Sequence, residues 1–257
     1  MPVNVRVDYD PVALAALYPW QVATPMVEFF TSLERIAGTP VGLLLPVAGG
    51  KLTNVSFPDT RVWTQANTQI GRDVGLGRGT AVTYNGTSDL ASATDSSFPS
   101  GAAARTFMAL IRPTSVSVVD NPIFSYGTVV AKQAILWELN SARQRVGVYT
   151  AVSDLATTSQ AVGRMACIGA NFDGVDVFSF FNNGAADGTS AAIAAVNTVL
   201  AGAGAAVVGD ATNPVAFGLA NKGNVTTGFV GVWSGAKAAS VHAAVTALAA
   251  EFYGGLA

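Results

Sequence analysis

The acidic side chains of this 257-residue sequence are few, and their spacing lacks the pattern of a sugar-cleaving site. Hydrolysis of a glycosidic bond needs two carboxyl groups that face one cleft. The glutamates are Glu28, Glu34, Glu138 and Glu251. Only Glu138 falls outside the segments predicted as helices, and its same-face strand neighbours, Leu136 and Asn140, are not acids. An aspartate on another strand stays open as a second carboxylate, but the pattern favours a protein that is not an enzyme.

Nucleophilic catalysis and zinc binding are disfavoured because the chain has one histidine, His242, and one cysteine, Cys167. A serine or cysteine nucleophile usually needs an adjacent base, and a zinc site needs four ligands. We expect His242 to be a surface or boundary residue at the start of the C-terminal helix. We expect Cys167 to be a small buried hydrophobic residue.

Calcium is the remaining metal to weigh, because oxygen-bearing side chains cluster near predicted turns. These residues are Asp173, Asp176, Asn182, Asn183 and Asp187. The same residue types also form hairpin turns, and we favour that interpretation over a calcium site. The sequence therefore predicts no catalytic residue, no metal site and no cofactor.

Composition excludes two classes of partner. Only 12% of the residues are charged, the net charge is −2, and no basic cluster is present to neutralise phosphates, so nucleic acid is not expected to bind. The uncharged stretch Ala191–Gly209 is mostly Ala and Gly, and we predict no membrane span.

Asp8 and Asp10 stand where a secretory signal would carry basic residues, so we expect synthesis in the cytoplasm.

Residues 1–40 are predicted to form a helical arm. Asp10-Pro11 begins one short helix, and Thr24-Pro25 begins a second, whose apolar stripe ends at Gly38. This region is rich in aromatic residues: Tyr9, Tyr18, Trp20, Phe29 and Phe30. Either the helices pack back on their own domain, or these five residues bind a partner subunit.

Residues 41–257 are predicted to form a mainly β domain. Short extended runs alternate with Gly, Asn, Asp and Pro, which is typical of an antiparallel β-sandwich or jelly roll. Asp173-Gly174 is predicted as a type I′ turn between two strands, and a C-terminal helix is predicted to begin with Ser240 as its cap. The clearest runs are Ala81–Tyr84, Thr106–Ile111, Ile135–Leu139, Arg145–Thr150, Met165–Phe172, Val175–Phe181, Val207–Val208, Val215–Leu219 and Gly228–Trp233.

Five segments, in this order, resemble the laminin-G-like, concanavalin A-like lectin-glucanase jelly rolls. They are Gly79–Leu90, Arg105–Thr114, Ile123–Gly127, Met165–Asn183 and Gly228–Trp233. The resemblance implies a concanavalin A-like antiparallel β-sandwich with N-terminal helices and a C-terminal helix. The usual aromatic residue is missing at Gly163-Arg164, and Val232-Trp233 replaces an acidic pair, so no metal or sugar ligand is carried over from the family.

The uncharged surface and the helical arm make the chain similar to members of this family in tailed-phage particles. That resemblance implies a non-enzymatic virion protein of the capsid or tail that contacts other virion proteins. We expect a closed homo-oligomer on general grounds, and the analogy to decoration proteins suggests a trimer. The alternative is a glycan-binding module. It would need exposed aromatic rings on a concave sheet face, for which the candidates are Trp137, Tyr149 and Trp233.

Overall fold

The computed structural model describes residues 24–47, 51–54, 64–66, 69–71, 79, 81–84, 90–94, 98–116, 121–128, 130–193, 195–199, 205–208 and 223–256. The predicted first helix, the run Val215–Leu219, and the residues Tyr9, Tyr18 and Trp20 lie outside these residues.

Two helices are described, and both bury an apolar stripe. Helix α1 spans Thr24–Ala37, with Phe29, Phe30 and Leu33 almost fully buried, and the chain leaves it at Gly38 with a positive φ of 78°. Helix α2 spans Ala239–Tyr253. It begins before the predicted cap Ser240, and the residue at its N-cap, Ala238, offers no side-chain hydrogen bond. The prediction of a serine cap was therefore wrong, whereas the helix itself is confirmed.

The described strands form two antiparallel sheets that are stacked on each other, so the mainly β sandwich is confirmed. One sheet contains β1 (Gly42–Val47), β2 (Lys51–Asn54), β4 (Gln69–Gly71), β5 (Ala81–Thr83), β7 (Arg105–Pro113), β12 (Ala166–Phe172), β13 (Phe178–Asn182), β14 (Ala185–Thr189) and β16 (Val225–Ser234). The other contains β3 (Thr64–Ala66), β6 (Leu90–Thr94), β8 (Asn121–Gly127), β9 (Ala134–Asn140), β10 (Arg143–Val148), β11 (Ala151–Ser159) and β15 (Ala205–Val208). Apart from Val215–Leu219, every predicted run overlaps one of these strands.

The order of the main strands in the nine-stranded sheet is β14-β13-β12-β7-β16-β1-β2, with β5 paired to β16 and β4 to β5. The order in the seven-stranded sheet is β11-β10-β9-β8-β15-β6-β3. The central strands β7, β12 and β16 of the nine-stranded sheet are buried on both faces. In β7, Phe107 and Ala109 face the core between the sheets, whereas Met108 and Leu110 face the helices. This alternation follows the two-residue period of a strand and separates a sandwich core from a helix–sheet core.

The hairpin of β12 and β13 is confirmed, but its turn differs from the prediction. Phe172 pairs with Phe178, so five residues form the connection, and only Gly174 has a positive φ, 88°. A type I′ turn would need two such residues. Instead, Asp173 Oδ1 accepts hydrogen bonds from the backbone N–H groups of Val175, Asp176 and Val177 at 2.7, 3.0 and 3.2 Å. Desolvation alone would raise the pKa of Asp173, but these bonds hold it below its ordinary value.

Candidate functional site

Several loops meet at one end of the sandwich, which we call the loop end. Its described residues are 98–104, 128, 130–133, 149–150, 173–177, 190–193 and 195–199. Backbone hydrogen bonds join neighbouring loops. Gly101 and Thr198 exchange two of them, at 2.7 and 3.1 Å. The N–H of Asn197 donates to Lys132 O at 3.0 Å, and the N–H of Lys132 donates to Tyr149 O at 2.7 Å. The loop end is therefore one connected backbone surface rather than a set of independent loops.

Arg105, the first residue of β7, fixes these loops from beneath and is 0% exposed. Its guanidinium donates to Ala103 O at 2.7 Å, Pro99 O at 3.0 Å, Gly101 O at 2.7 Å, Thr198 Oγ1 at 2.6 Å and the hydroxyl of Tyr126. The cation also lies 5.3 Å from the centre of the Phe172 ring. These acceptors come from separate loops and from β8, so one side chain ties the loops to the sandwich core.

Among the described residues, the partners of Arg105 are carbonyl and hydroxyl oxygens and aromatic rings, not a carboxylate. Removing a cation from water costs several kcal/mol, and each hydrogen bond from a charged donor returns roughly 1.5–3 kcal/mol. The five acceptors therefore hold the buried charge without a counter-ion. Burial raises the pKa of the Tyr126 hydroxyl, and the neighbouring Arg105 charge opposes that effect.

The accessible surface above Arg105 carries side chains suited to sugars. Tyr149 and Lys132 are half-buried, and Asn197 is exposed. An aromatic ring can stack on the C–H face of a sugar, and amide and ammonium groups can bond its hydroxyls. Lys132, Thr150 and Ala195 have φ values of 66°, 64° and 60°, a conformation that non-glycine residues rarely adopt. The fold thus holds several loop-end residues in backbone conformations that they would not choose alone.

The other two predicted stacking residues are corrected. Trp137 and Trp233 are both 0% exposed. Trp137 points into the sandwich core, while Trp233 lies in the helix–sheet core and donates from Nε1 to Gly38 O at 2.9 Å. On the outward side of β9, Leu136 and Glu138 are 1% and 0% exposed. The centre of this sheet face is therefore no open platform, and Tyr149 is the accessible candidate of the three.

Glu138, the strand glutamate considered for catalysis, forms a buried ion pair. Arg145 lies directly opposite it in the register of β9 and β10. Arg145 Nε donates to Glu138 Oε1 at 2.6 Å, and a second guanidinium nitrogen contacts the same oxygen. Glu138 therefore has a structural role in the sheet, since cross-strand neighbours of opposite charge stabilise one another.

Phe29 and Phe30, two of the five predicted partner-binding residues, lie in the chain's own helix–sheet core. They are 0% and 2% exposed. The Phe29 ring packs edge-on against Phe252 and Tyr253 of α2, with centroid distances of 5.5 and 5.6 Å. The prediction that these two rings bind a partner is therefore corrected: α1 uses them to pack back on its own domain.

His242 is not the boundary residue that we predicted. It is 3% exposed and stacks on Phe181 with a centroid distance of 3.7 Å. Its Nε2 lies 3.1 Å from Asn171 Oδ1, and burial lowers its pKa to about 4. Cys167 is buried as predicted, and burial raises its pKa to about 11, so the thiol is unreactive.

The residues weighed for calcium make ordinary structural hydrogen bonds. Asn183 and Gly184 have φ values of 47° and 81° and turn the chain between β13 and β14, as predicted. Asp187 Oδ1 accepts from Thr157 Oγ1 and from the N–H and hydroxyl of Thr158, at 2.5, 2.9 and 2.7 Å. This contact joins the edge strands of the two sheets. Within the described ranges, no three His, Cys, Asp or Glu residues gather as a metal site would require.

No protein-family model matches the chain, and no curated protein matches its sequence. Neither helix of the described part of the chain is both long and apolar enough to cross a membrane.

Solved structures do share the fold. The binding domain of Paraclostridial Mosquitocidal Protein 1 is 11% identical with a TM-score of 0.60, and the match covers 82% of this chain and 52% of that one. The botulinum neurotoxin serotype D binding domain is 8% identical with a TM-score of 0.54, and the match covers 84% of this chain and 52% of that one. Trypanosoma rangeli sialidase in complex with sialic acid is 14% identical with a TM-score of 0.59, and the match covers 94% of this chain and 39% of that one. The chain spans about half the length of these two binding domains, and it shares with them an antiparallel β-sandwich fold.

Proposed function

We propose that the chain is a non-enzymatic, lectin-like module that binds carbohydrate at its loop end. The observation that carries this proposal is the position of Tyr149, a half-buried residue whose carbonyl accepts a hydrogen bond from the N–H of Lys132. The carbonyl of Lys132 accepts in turn from the N–H of Asn197. Two of the structures with this fold are toxin binding domains, and the third is a sialidase in complex with sialic acid, which supports a binding role.

The loop end would bind its ligand through shape complementarity and hydrogen bonds and would not catalyse a reaction on it. Because Arg105 and the inter-loop backbone bonds already fix the loops, a ligand would lose little free energy in ordering them. The ring of Tyr149 would supply apolar contact, and the side chains of Lys132 and Asn197 would fix the orientation of the sugar.

A glycan array probed with the purified chain tests this proposal. We expect binding to a group of related glycans and a loss of roughly five- to thirtyfold in affinity for Tyr149→Ala, since stacking and buried apolar area together contribute about 1–2 kcal/mol. Tyr149→Phe keeps the ring and should bind nearly as well as the original chain. The proposal fails if no glycan binds, or if Tyr149→Ala binds with unchanged affinity.

The virion role that the sequence resemblance implied receives no support from the three structures described above, since none is named as a virion protein. The glycan-binding alternative is therefore the better supported of the two readings. Both share the expectation of a module that works through surface contacts.

A further inference from the structure

The two helices leave a groove on the outer face of the molecule. Helices α1 and α2 run antiparallel, because Phe29 near the start of α1 packs against the last turn of α2, while Lys237, just before α2, lies beside Gly38 after α1. The groove has a volume of about 630 Å³. Its lining includes Glu28, Arg35, Ile36, Ala247, Leu248 and Glu251. It therefore has an apolar floor between charged ends.

The charges are segregated along the groove. Glu28 and Glu251 lie at one end, where α1 begins and α2 finishes. Arg35 lies at the other end, and Lys237 is near it, with Nζ 3.6 Å from where a Cβ on Gly38 would stand. Among the residues described, neither cation has a carboxylate partner, and Arg35 makes only a 3.4 Å hydrogen bond to Ser32 Oγ. Two carboxylates at one end thus balance two cations at the other.

The spacing of these charges is self-complementary. Glu28 and Arg35 are seven residues apart, so they lie on one face of α1 and are separated by about 10.5 Å along the axis. A two-fold axis crossing α1 midway between them would place each Glu28 against the partner's Arg35. Thr31 and Ser32 stand at that midpoint, and Ala244 and Ala247 line the opposite wall. All four side chains are small enough for two helices to approach closely.

We propose that two copies of the chain pair through this groove, with α1 of each copy lying in the groove of the other. A segment of uniform charge would be attracted at one end of the groove and repelled at the other, whereas an antiparallel second copy matches both ends. The pairing is independent of the proposed sugar site. It would present two loop ends on one particle, which raises avidity for a surface with repeated glycans.

Charge reversal tests the pairing. In sedimentation equilibrium at low salt, the chain of 26.2 kDa should show a concentration-dependent dimer of twice that mass. Arg35→Glu should raise the dimer dissociation constant about tenfold or more, because like charges then meet at both symmetric contacts. Adding Glu28→Arg to that variant restores opposite charges between the two copies of α1, but Glu251 and Lys237 of each copy then face like charges. The double variant should therefore recover part of the lost affinity. Arg143→Glu, on the sheet that does not contact the helices, should leave it unchanged.

A steric variant provides a second, charge-independent test. Ala247 is exposed on the groove wall, so Ala247→Trp should fill the groove and abolish the dimer while leaving the circular dichroism spectrum unchanged. The proposal is overturned if the original chain is monomeric at all concentrations, if Arg35→Glu dimerises as tightly as the original, or if the double variant pairs no more tightly than Arg35→Glu alone. It is equally overturned if the tryptophan variant still dimerises.

Discussion

The loop end and the helix layer, by which we mean α1 and α2 on the nine-stranded sheet, are each attached through one buried basic side chain. The two side chains differ in whether they carry a charge inside the protein. Arg105 brings its charge into the interior and surrounds it with five hydrogen-bond acceptors. His242 sits between α2 and the nine-stranded sheet and stays neutral, stacked on Phe181. One region is therefore held by a buried charge, and the other by a buried group that must not become charged.

The hydrogen bonds around His242 show how α2 is attached to the sheet. Asn171 Nδ2 donates to Lys237 O at 2.7 Å, which leaves its Oδ1 as the acceptor for Thr106 Oγ1 at 2.7 Å and for His242 Nε2 at 3.1 Å. The Lys237 N–H donates in turn to Thr106 Oγ1 at 3.0 Å. This network ties the residues before α2 to β7 and β12.

The difference teaches that the two regions should respond differently to acid. Acid adds no proton to a guanidinium, because arginine side chains are not deprotonated in proteins. Burial lowers the pKa of His242 to about 4, so the folded state resists protonation of its imidazole. Acid should therefore loosen the helix layer before it affects the anchor of the loop end.

The largest expected effect is the loss of the buried cation. Arg105→Met should lower the free energy of unfolding by about 3–5 kcal/mol, because the carbonyl groups of Pro99, Gly101 and Ala103 lose their donor inside the fold. Urea denaturation at pH 7 measures the change. Arg112→Met, at the half-buried far end of the same strand, is the matched control and should cost no more than about 1 kcal/mol. Equal losses for the two variants would contradict the anchoring role of Arg105.

The second effect is a loss of stability in acid through His242. Above about pH 6.5 both the folded and the unfolded state carry a neutral imidazole, so its contribution is fully present. As the pH falls from 6.5 towards 4, the unfolded state binds a proton that the folded state resists, and the free energy of unfolding falls by up to about 3 kcal/mol. Below about pH 4 the loss from this group is complete.

Urea titrations of the original chain and of His242→Gln, at intervals between pH 7.5 and 4.5, measure this term. Glutamine can still donate to Asn171 but does not titrate, so the difference between the two curves isolates the histidine. We expect the original chain to lose stability more steeply than the variant across this range. Parallel curves would show that the imidazole is protonated equally in both states.

The sequence predicts the elements better than the anchors. Residue periodicity is sufficient for the described helices and for the strand runs, because it depends on local alternation. Nothing local marks Arg105 as buried, since its acceptors Pro99, Tyr126 and Thr198 come from distant segments that meet only in the fold.

The direction in which individual side chains point is the second feature that the sequence does not predict. Trp233 belongs to a sheet covered on both faces, so alternation along the strand does not say which ring reaches solvent. A lone histidine on a mixed helix is usually a surface or boundary residue, which is why His242 was predicted as one, yet one face of that helix packs on β12. Tyr149 could be proposed from residue type, but its position beside Lys132 depends on a loop-to-loop hydrogen bond.

The smallest expected change in stability comes from the close packing of the His242 imidazole against Gly169. A Cβ on Gly169 would lie 2.6 Å from His242 Nδ1 and 2.7 Å from its Cε1, and the ring cannot retreat because Phe181 stacks on its other side. Gly169→Ala should therefore lower the free energy of unfolding by about 1–3 kcal/mol, while Gly255→Ala, which meets no atom within 4 Å, should change it little. In the background of His242→Ala only the carbonyl oxygen of Phe107, 3.3 Å from that Cβ, remains close, so adding Gly169→Ala should cost less than it does alone. If the two substitutions are additive instead, the close approach of ring and strand is not what fastens α2 to the sheet.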